Sequence, residues 1–254
     1  KGLWAGLELD GMKKVYVIGI GPGGAYGMTA AARAALEEAE VICGYTVYLD
    51  LIAPLTPGKE LRSTPMTREL DRCAMALELA NEGRTTAMVC SGDAGVYGMA
   101  SPLLELAASY PEVDVEVIPG VTAALAGAAA LGAPLGHDFC TVSLSDLLTP
   151  WEVIEKRLRA AVAGDFVLCL YNPASRRRKD TLRRACGILL EAGRSPDTPC
   201  GWVRNIGRAG QTTCLLTLAQ LQEAEVDMFT TVFVGASSTR MERGRLITPR
   251  GYKK

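Results

Sequence analysis

The stretch at residues 15–24, VYVIGIGPGG, does most to restrict what this chain can become. An apolar, β-branched run stops abruptly at closely spaced glycines, and an Ala-rich amphipathic segment, residues 28–39, follows. That order reads as strand, tight turn and helix, the opening of an α/β unit whose turn faces a ligand. Gly19, Gly21 and Gly24 match the G-x-G-x-x-G spacing of dinucleotide sites. Two details oppose a phosphate ligand. Pro22 removes a backbone N–H where a pyrophosphate needs donors. The next strand runs into Gly44-Tyr45, so no carboxylate stands there for a ribose hydroxyl. Three readings stay open: a phosphate cradle, a purely structural turn, and a loop bringing its backbone close to an uncharged or cationic small molecule. The residues favour the third.

Two more strand ends in the first half carry turns of this kind. A buried strand at 85–90 ends in Ser91-Gly92-Asp93-Ala94-Gly95, and one at 113–118 ends in Pro119-Gly120. In a parallel sheet these ends share one edge, where open α/β proteins bind ligands. Helices are expected at 29–38, 67–82 and 96–108, with a short helix or loop at 45–52. The Ala-rich segment 121–131 reads as a helix buried against the sheet.

A boundary is expected near residues 133–136. It separates a first α/β domain, 12–135, from a second, 136–254, after an appendage at 1–11 that lacks a clear period. In the second half, strands are expected at 139–144, 165–170, 199–203, 211–216 and 229–234, with helices at 151–163, 175–192 and 218–224. The hairpin-like spacing of 199–216 points to a mixed sheet.

The formal net charge of −1 gives no bulk field to draw in nucleic acid or an anionic membrane. No leader and no apolar run of spanning length is visible, so a cytoplasmic protein is expected. The eight cysteines form no C-x-x-C and no cluster with the lone histidine, so neither zinc nor a redox dithiol is expected. Most fall in apolar runs and read as buried thiols.

The joint pattern resembles the tetrapyrrole methyltransferases. Gly19-Ile20-Gly21-Pro22-Gly23 is similar to their first-strand loop, Ser91 to Gly95 to their third, and Ile118-Pro119-Gly120-Val121-Thr122-Ala123 to the segment after the fourth strand. Residues 44–50, 135–140, 143–151, 171–176 and 203–207 resemble one branch, the corrin C-17 methyltransferases of cobalamin synthesis. The resemblance runs from Lys14 to about Thr248. One departure is Gly24, where many members of the family have Asp.

The resemblance implies two α/β domains with S-adenosylmethionine bound in the cleft between them, a corrin precursor as substrate, and a homodimer. It implies cofactor contacts at Pro22, Ser91, Gly92, Asp93, Val96, Thr122 and Ala123, and at Tyr171, Asn205, Ile206 and Thr231. A sulfonium donor has no phosphate, so a loop containing proline loses nothing in binding it, and glycines let the backbone come close. Asp93 can accept from ribose hydroxyls or the ammonium, or it can serve as turn former or helix cap. Thr122 can equally cap the Ala-rich helix.

The C-17 branch also contracts the macrocycle, a step that moves protons. His137 is the lone histidine, and with Asp146 it is the candidate acid/base pair, alongside the reading of a loop histidine without a chemical role. Arg176, Arg177 and Arg178, with Lys179, fall in the first turn of an expected helix, where the macrodipole disfavours cations. Corrin precursors carry many carboxylates, which arginine holds bidentately. These arginines are therefore candidate substrate ligands, with a solvated basic face as the alternative.

Overall fold

Successive residues of the first strand, β1 (Lys13–Gly19), enter two different cores, and this alternation sets the layers of the first unit. The structure, a computed structural model, describes residues 13–64, 68–175 and 178–252. The expected appendage lies outside the described residues. The chain divides into two compact units, Lys1–Thr122 and Ala123–Lys254.

In the first unit β1 is followed by α1 (Ala30–Glu38), β2 (Val41–Tyr45), α2 (Thr46–Ile52) and β3 (Glu60–Thr64). Then come α3 (Glu69–Asn81), β4 (Thr86–Cys90), α4 (Ala100–Ala107) and β5 (Val113–Ile118). The strands form one sheet in the order β3-β2-β4-β1-β5, with every pair parallel. Val15, Val17 and Met88 pack with Cys73, Leu77 and Leu103 of α3 and α4 on one face. Tyr16, Ile18 and Val89 pack with Ala35, Leu36 and Leu49 of α1 and α2 on the other. With both faces covered, β4 is buried along its whole length, as the apolar run in its sequence requires. Thr29 caps α1, its hydroxyl accepting from the Ala32 N–H at 3.0 Å.

Two elements depart from expectation here. β3 carries no apolar alternation in its sequence ELRST, because as an edge strand it buries little. The helix expected at 96–108 begins only at Ala100, since residues 96–99 are held in a turn by Asp93.

The second unit runs α5 (Ala123–Leu131), β6 (Gly132–Ala133), β7 (Phe139–Ser143), α6 (Trp151–Ala163), β8 (Val167–Tyr171) and α7 (Thr181–Glu191). It continues with β9 (Pro199–Arg204), β10 (Thr212–Thr217), α8 (Leu218–Leu221), β11 (Thr230–Val234), β12 (Arg240–Glu242) and β13 (Arg245–Ile247). Its main sheet has the order β10-β9-β11-β8-β7 and is mixed: β7 and β8 are parallel, the other pairs antiparallel. β12, β13 and β6 make a small second sheet. On one face, Val232 and Val234 of β11 pack with Ile154, Leu158, Ala185 and Leu189 of α6 and α7. On the other, Phe233 packs with Ala124, Ala128 and Leu131 of α5.

The division between units therefore falls after Thr122, ahead of the expected 133–136. The helix α5 packs on the main sheet of the second unit, where Gly127 lets the Phe233 ring approach: an added Cβ there would lie 2.8 Å from Phe233 Cζ. An Ala-rich helix, apolar all round, does not reveal from its sequence which sheet it will cover.

α7 starts at Thr181, not at 175. Arg178 and Lys179 thus precede the helix and are not in its first turn, which removes the macrodipole conflict as a sign of function.

Candidate active site

The carboxyl ends of β4, β1 and β5 are adjacent, and their three loops are knitted together by backbone. Gly21 and Gly92 exchange hydrogen bonds of 3.0 and 2.8 Å, and the Ile20 N–H donates to the Cys90 carbonyl at 2.9 Å. Gly19, Gly92 and Gly120 crowd one point. A Cβ added at Gly19 would stand 2.7 Å from both Gly120 N and Gly92 O, and one at Gly120 would stand 2.1 Å from Gly92 O. No side chain larger than hydrogen fits either position. Gly21 has φ +75°, a conformation natural to glycine.

Asp93 is the staple of this arrangement. One carboxylate oxygen accepts from the N–H groups of Gly95 (2.8 Å) and Val96 (3.1 Å), and the other accepts from Gly120 N–H (2.9 Å). It thus serves as the turn former that sequence reading offered beside its ligand role. A carboxylate has about four acceptor sites, so about one remains for a ligand. Pro22 lies half-buried against Gly27, and Ser91, Gly92 and Val96 complete the rim. No Lys or Arg occurs in residues 19–29, 91–98 or 119–122, so the only formal charge on these loops is that of Asp93. By its own residues the edge suits a cationic or neutral ligand better than a diphosphate, and the guanidinium that reaches it, that of Arg33 in α1, is engaged by the Ala25 carbonyl at 3.2 Å.

Tyr97, in the second loop, has φ +53° and is half-exposed. Bulky residues seldom adopt this conformation, and strain of this kind gathers at functional loops. Sequence reasoning missed Tyr97, because no local pattern announces a left-handed tyrosine. Beneath the loops, burial pushes the Cys90 thiol up to about 12, so it is no nucleophile at neutral pH. Burial likewise raises Cys43 and Cys186 to about 12.

In the second unit, one edge of the main sheet brings together Tyr171, Asn205, Ile206 and Thr231. Val232 pairs with Leu170, which sets Thr231 beside Tyr171, and Thr231 itself pairs with Val203 at the end of β9. Asn205 follows with φ +52°, its N–H donating to the Phe229 carbonyl at 3.1 Å. Ile206 is buried in the core beneath α5, and Thr231 is 5% exposed. The Tyr171 hydroxyl accepts from Ala124 N–H at 2.8 Å, which ties the start of α5, and with it Ala123, to this edge. Thr122 immediately precedes that helix.

The expected pairing of His137 with Asp146 does not form. His137 precedes β7 and Asp146 follows it, and the five residues of that strand, at about 3.3 Å each, hold them at opposite ends. His137 is exposed, its Nδ1 accepting from Asp138 N–H at 2.9 Å. That end of the sheet is a structural corner, where Asp165 binds the buried Arg194 guanidinium at 2.5 Å and the Ser237 hydroxyl at 2.5 Å. Burial works against ionisation of Asp165, but its hydrogen bonds with Ser237 and its ion pair with Arg194 outweigh it and hold the carboxyl below its ordinary value.

Asp146 instead pairs with Arg178 across the carboxyl ends of β7 and β8. The candidates Arg176 and Arg177 lie outside the described residues.

Comparison with known proteins fits this picture. The family model for Tetrapyrrole (Corrin/Porphyrin) Methylases matches residues 14–222. A Salmonella typhimurium protein named probable cobalt-factor III C(17)-methyltransferase is 50% identical over 93% of this chain and 98% of its own length. Cobalamin biosynthesis protein CbiHC of Archaeoglobus fulgidus is 46% identical, and this chain spans 54% of that longer protein. The crystal structure of the methyltransferase CobJ superposes with a TM-score of 0.85 at 42% identity, covering 92% of this chain and 99% of that one. With the family model matching residues 14–222 and relatives matching over more than nine-tenths of the chain, the chain belongs to the tetrapyrrole (corrin/porphyrin) methylases.

Proposed function

We propose that this protein is an S-adenosylmethionine-dependent C-methyltransferase that methylates C-17 of a corrin precursor, cobalt-factor III or its metal-free counterpart precorrin-3B, and contracts the ring in cobalamin biosynthesis. The observation that carries the donor is the glycine edge of the first unit, whose three loops contain one carboxylate and no Lys or Arg of their own. The acceptor rests on the names of relatives that match over nearly their whole length.

The residues fit the donor. Ser91 and Gly92 would offer it backbone groups, Gly92 without a side chain in the way, Pro22 and Val96 would offer apolar contact, and Asp93 would attract its positive charge. The donor supplies an electrophilic methyl group and leaves as a neutral thioether. The chain's own task is to orient the ring carbon in line with that methyl and to keep water out, which needs no protein nucleophile. Thr122, Ala123, Tyr171, Asn205, Ile206 and Thr231 keep the donor role assigned by resemblance, with Tyr171 also fixing the start of α5. Arg178 is assigned to a substrate carboxylate. A homodimer in the cytoplasm belongs to the same reading, and sedimentation of the purified protein checks the dimer.

Mass spectrometry of products made with methyl-labelled donor tests the function. One labelled methyl on cobalt-factor III or precorrin-3B, and none on earlier precursors, is expected. Donor left unconsumed with both would refute it.

A further inference from the structure

The carboxyl ends of β7 and β8 lie side by side, and the two loops that leave them are joined in layers. Nearest the sheet, Leu144 N–H donates to the Tyr171 carbonyl at 2.9 Å, and Asn172 Nδ2 donates to Ser143 Oγ at 2.9 Å. Farther out, Arg178 is held by reciprocal backbone bonds with Ser175, both 3.1 Å, and its guanidinium pairs with Asp146. Both side chains keep partial access to water, 28% for Arg178 and 38% for Asp146. Asp146 is followed in the chain by two exposed leucines: Leu147 is 71% exposed and Leu148 98%. A loop that carries exposed apolar side chains directly after the residue holding a guanidinium matches a ligand that is itself an apolar ring bearing carboxylate arms.

We propose that Asp146 is a placeholder: its carboxylate occupies Arg178 in the free enzyme and gives way to a carboxylate arm of the corrin substrate. This inference rests on the function proposed above. The backbone bonds to Ser175 hold the main chain of Arg178 whichever carboxylate is bound, so the exchange leaves the frame intact. A part-exposed ion pair is weak, so a bidentate substrate carboxylate displaces it at little cost. Asp146 is therefore a residue that tunes substrate affinity.

The test is a comparison of KM for the corrin precursor in wild type, Asp146→Asn, Arg178→Gln and the double variant, at low and high salt. Removing the competing charge lowers KM about two- to fivefold in Asp146→Asn. Arg178→Gln raises KM, and in that background Asp146→Asn changes nothing further. High salt narrows the gap between wild type and Asp146→Asn. Asp146→Ser serves as a second variant, and thermal unfolding confirms that each is folded. A KM that rises in Asp146→Asn shows that Asp146 orients the arginine for substrate and overturns the proposal, as does an unchanged KM. A wild-type enzyme that leaves every precursor unmethylated overturns the function itself, and this inference with it.

Discussion

Asp93 places three of its acceptor positions on backbone N–H groups of two loops, and this decides what the residue can do for a ligand. The carboxylate holds the β4 and β5 loops in the spacing that the glycines permit, and its charge remains on the rim. In Asp93→Asn one oxygen becomes an amide that cannot accept, so a backbone donor is left unpaired. A loss of about 1–3 kcal/mol in stability is expected from urea unfolding, together with weaker binding of the methyl donor by calorimetry. Full stability in this variant would remove the staple role. The sequence named Asp93 as a candidate on both counts. It could not apportion them, because Gly120 is 27 residues away and meets Asp93 only through the parallel register of β1, β4 and β5.

At the scale of elements, two helical glycines make opposite predictions. In α5 a Cβ on Gly127 would press on Phe233 Cζ at 2.8 Å and on Ile206 Cδ1 at 3.1 Å, and the phenylalanine is fully buried. In α7 a Cβ on Gly187 would meet nothing closer than Gln222 Nε2 at 3.7 Å. Alanine recovers about 1 kcal/mol of helix propensity at either site. Overpacking costs about 1–3 kcal/mol at Gly127 alone. Gly187→Ala is therefore expected to stabilise by up to about 1 kcal/mol and Gly127→Ala to destabilise, as denaturant midpoints will show. If both stabilise, the packing of α5 on β11 is looser than described. Both segments read as helical from their sequences. The face each helix buries follows from its contacts with β11, and the onset of α7 at Thr181 is not legible in the sequence.

For the whole molecule, a donor that binds only the folded state must raise its thermal midpoint. At about one hundred times its dissociation constant the methyl donor contributes about 2.7 kcal/mol, which for a chain of this size is a rise of roughly 5–10 °C. NAD and ATP, whose phosphates lack a counter-charge on the glycine loops, are expected to leave the midpoint where it is. A shift with either nucleotide and none with the donor would reverse the reading of those loops. The amino-acid sequence by itself determined the strand-turn-helix units, the three glycine-bearing strand ends and the membership of the methylase family. The units and strand ends are written in local periods of two and 3.6 residues and in short glycine turns that depend on nothing distant, and the family is legible as a resemblance carried by the motifs at 19–23, 91–95 and 118–123. Only the tertiary structure decided that α5 covers the main sheet of the second unit, that His137 and Asp146 stand at opposite ends of β7, and that Asp146 faces Arg178. Each of these depends on strand direction and on which face a neighbour covers, and no stretch of chain carries that information alone.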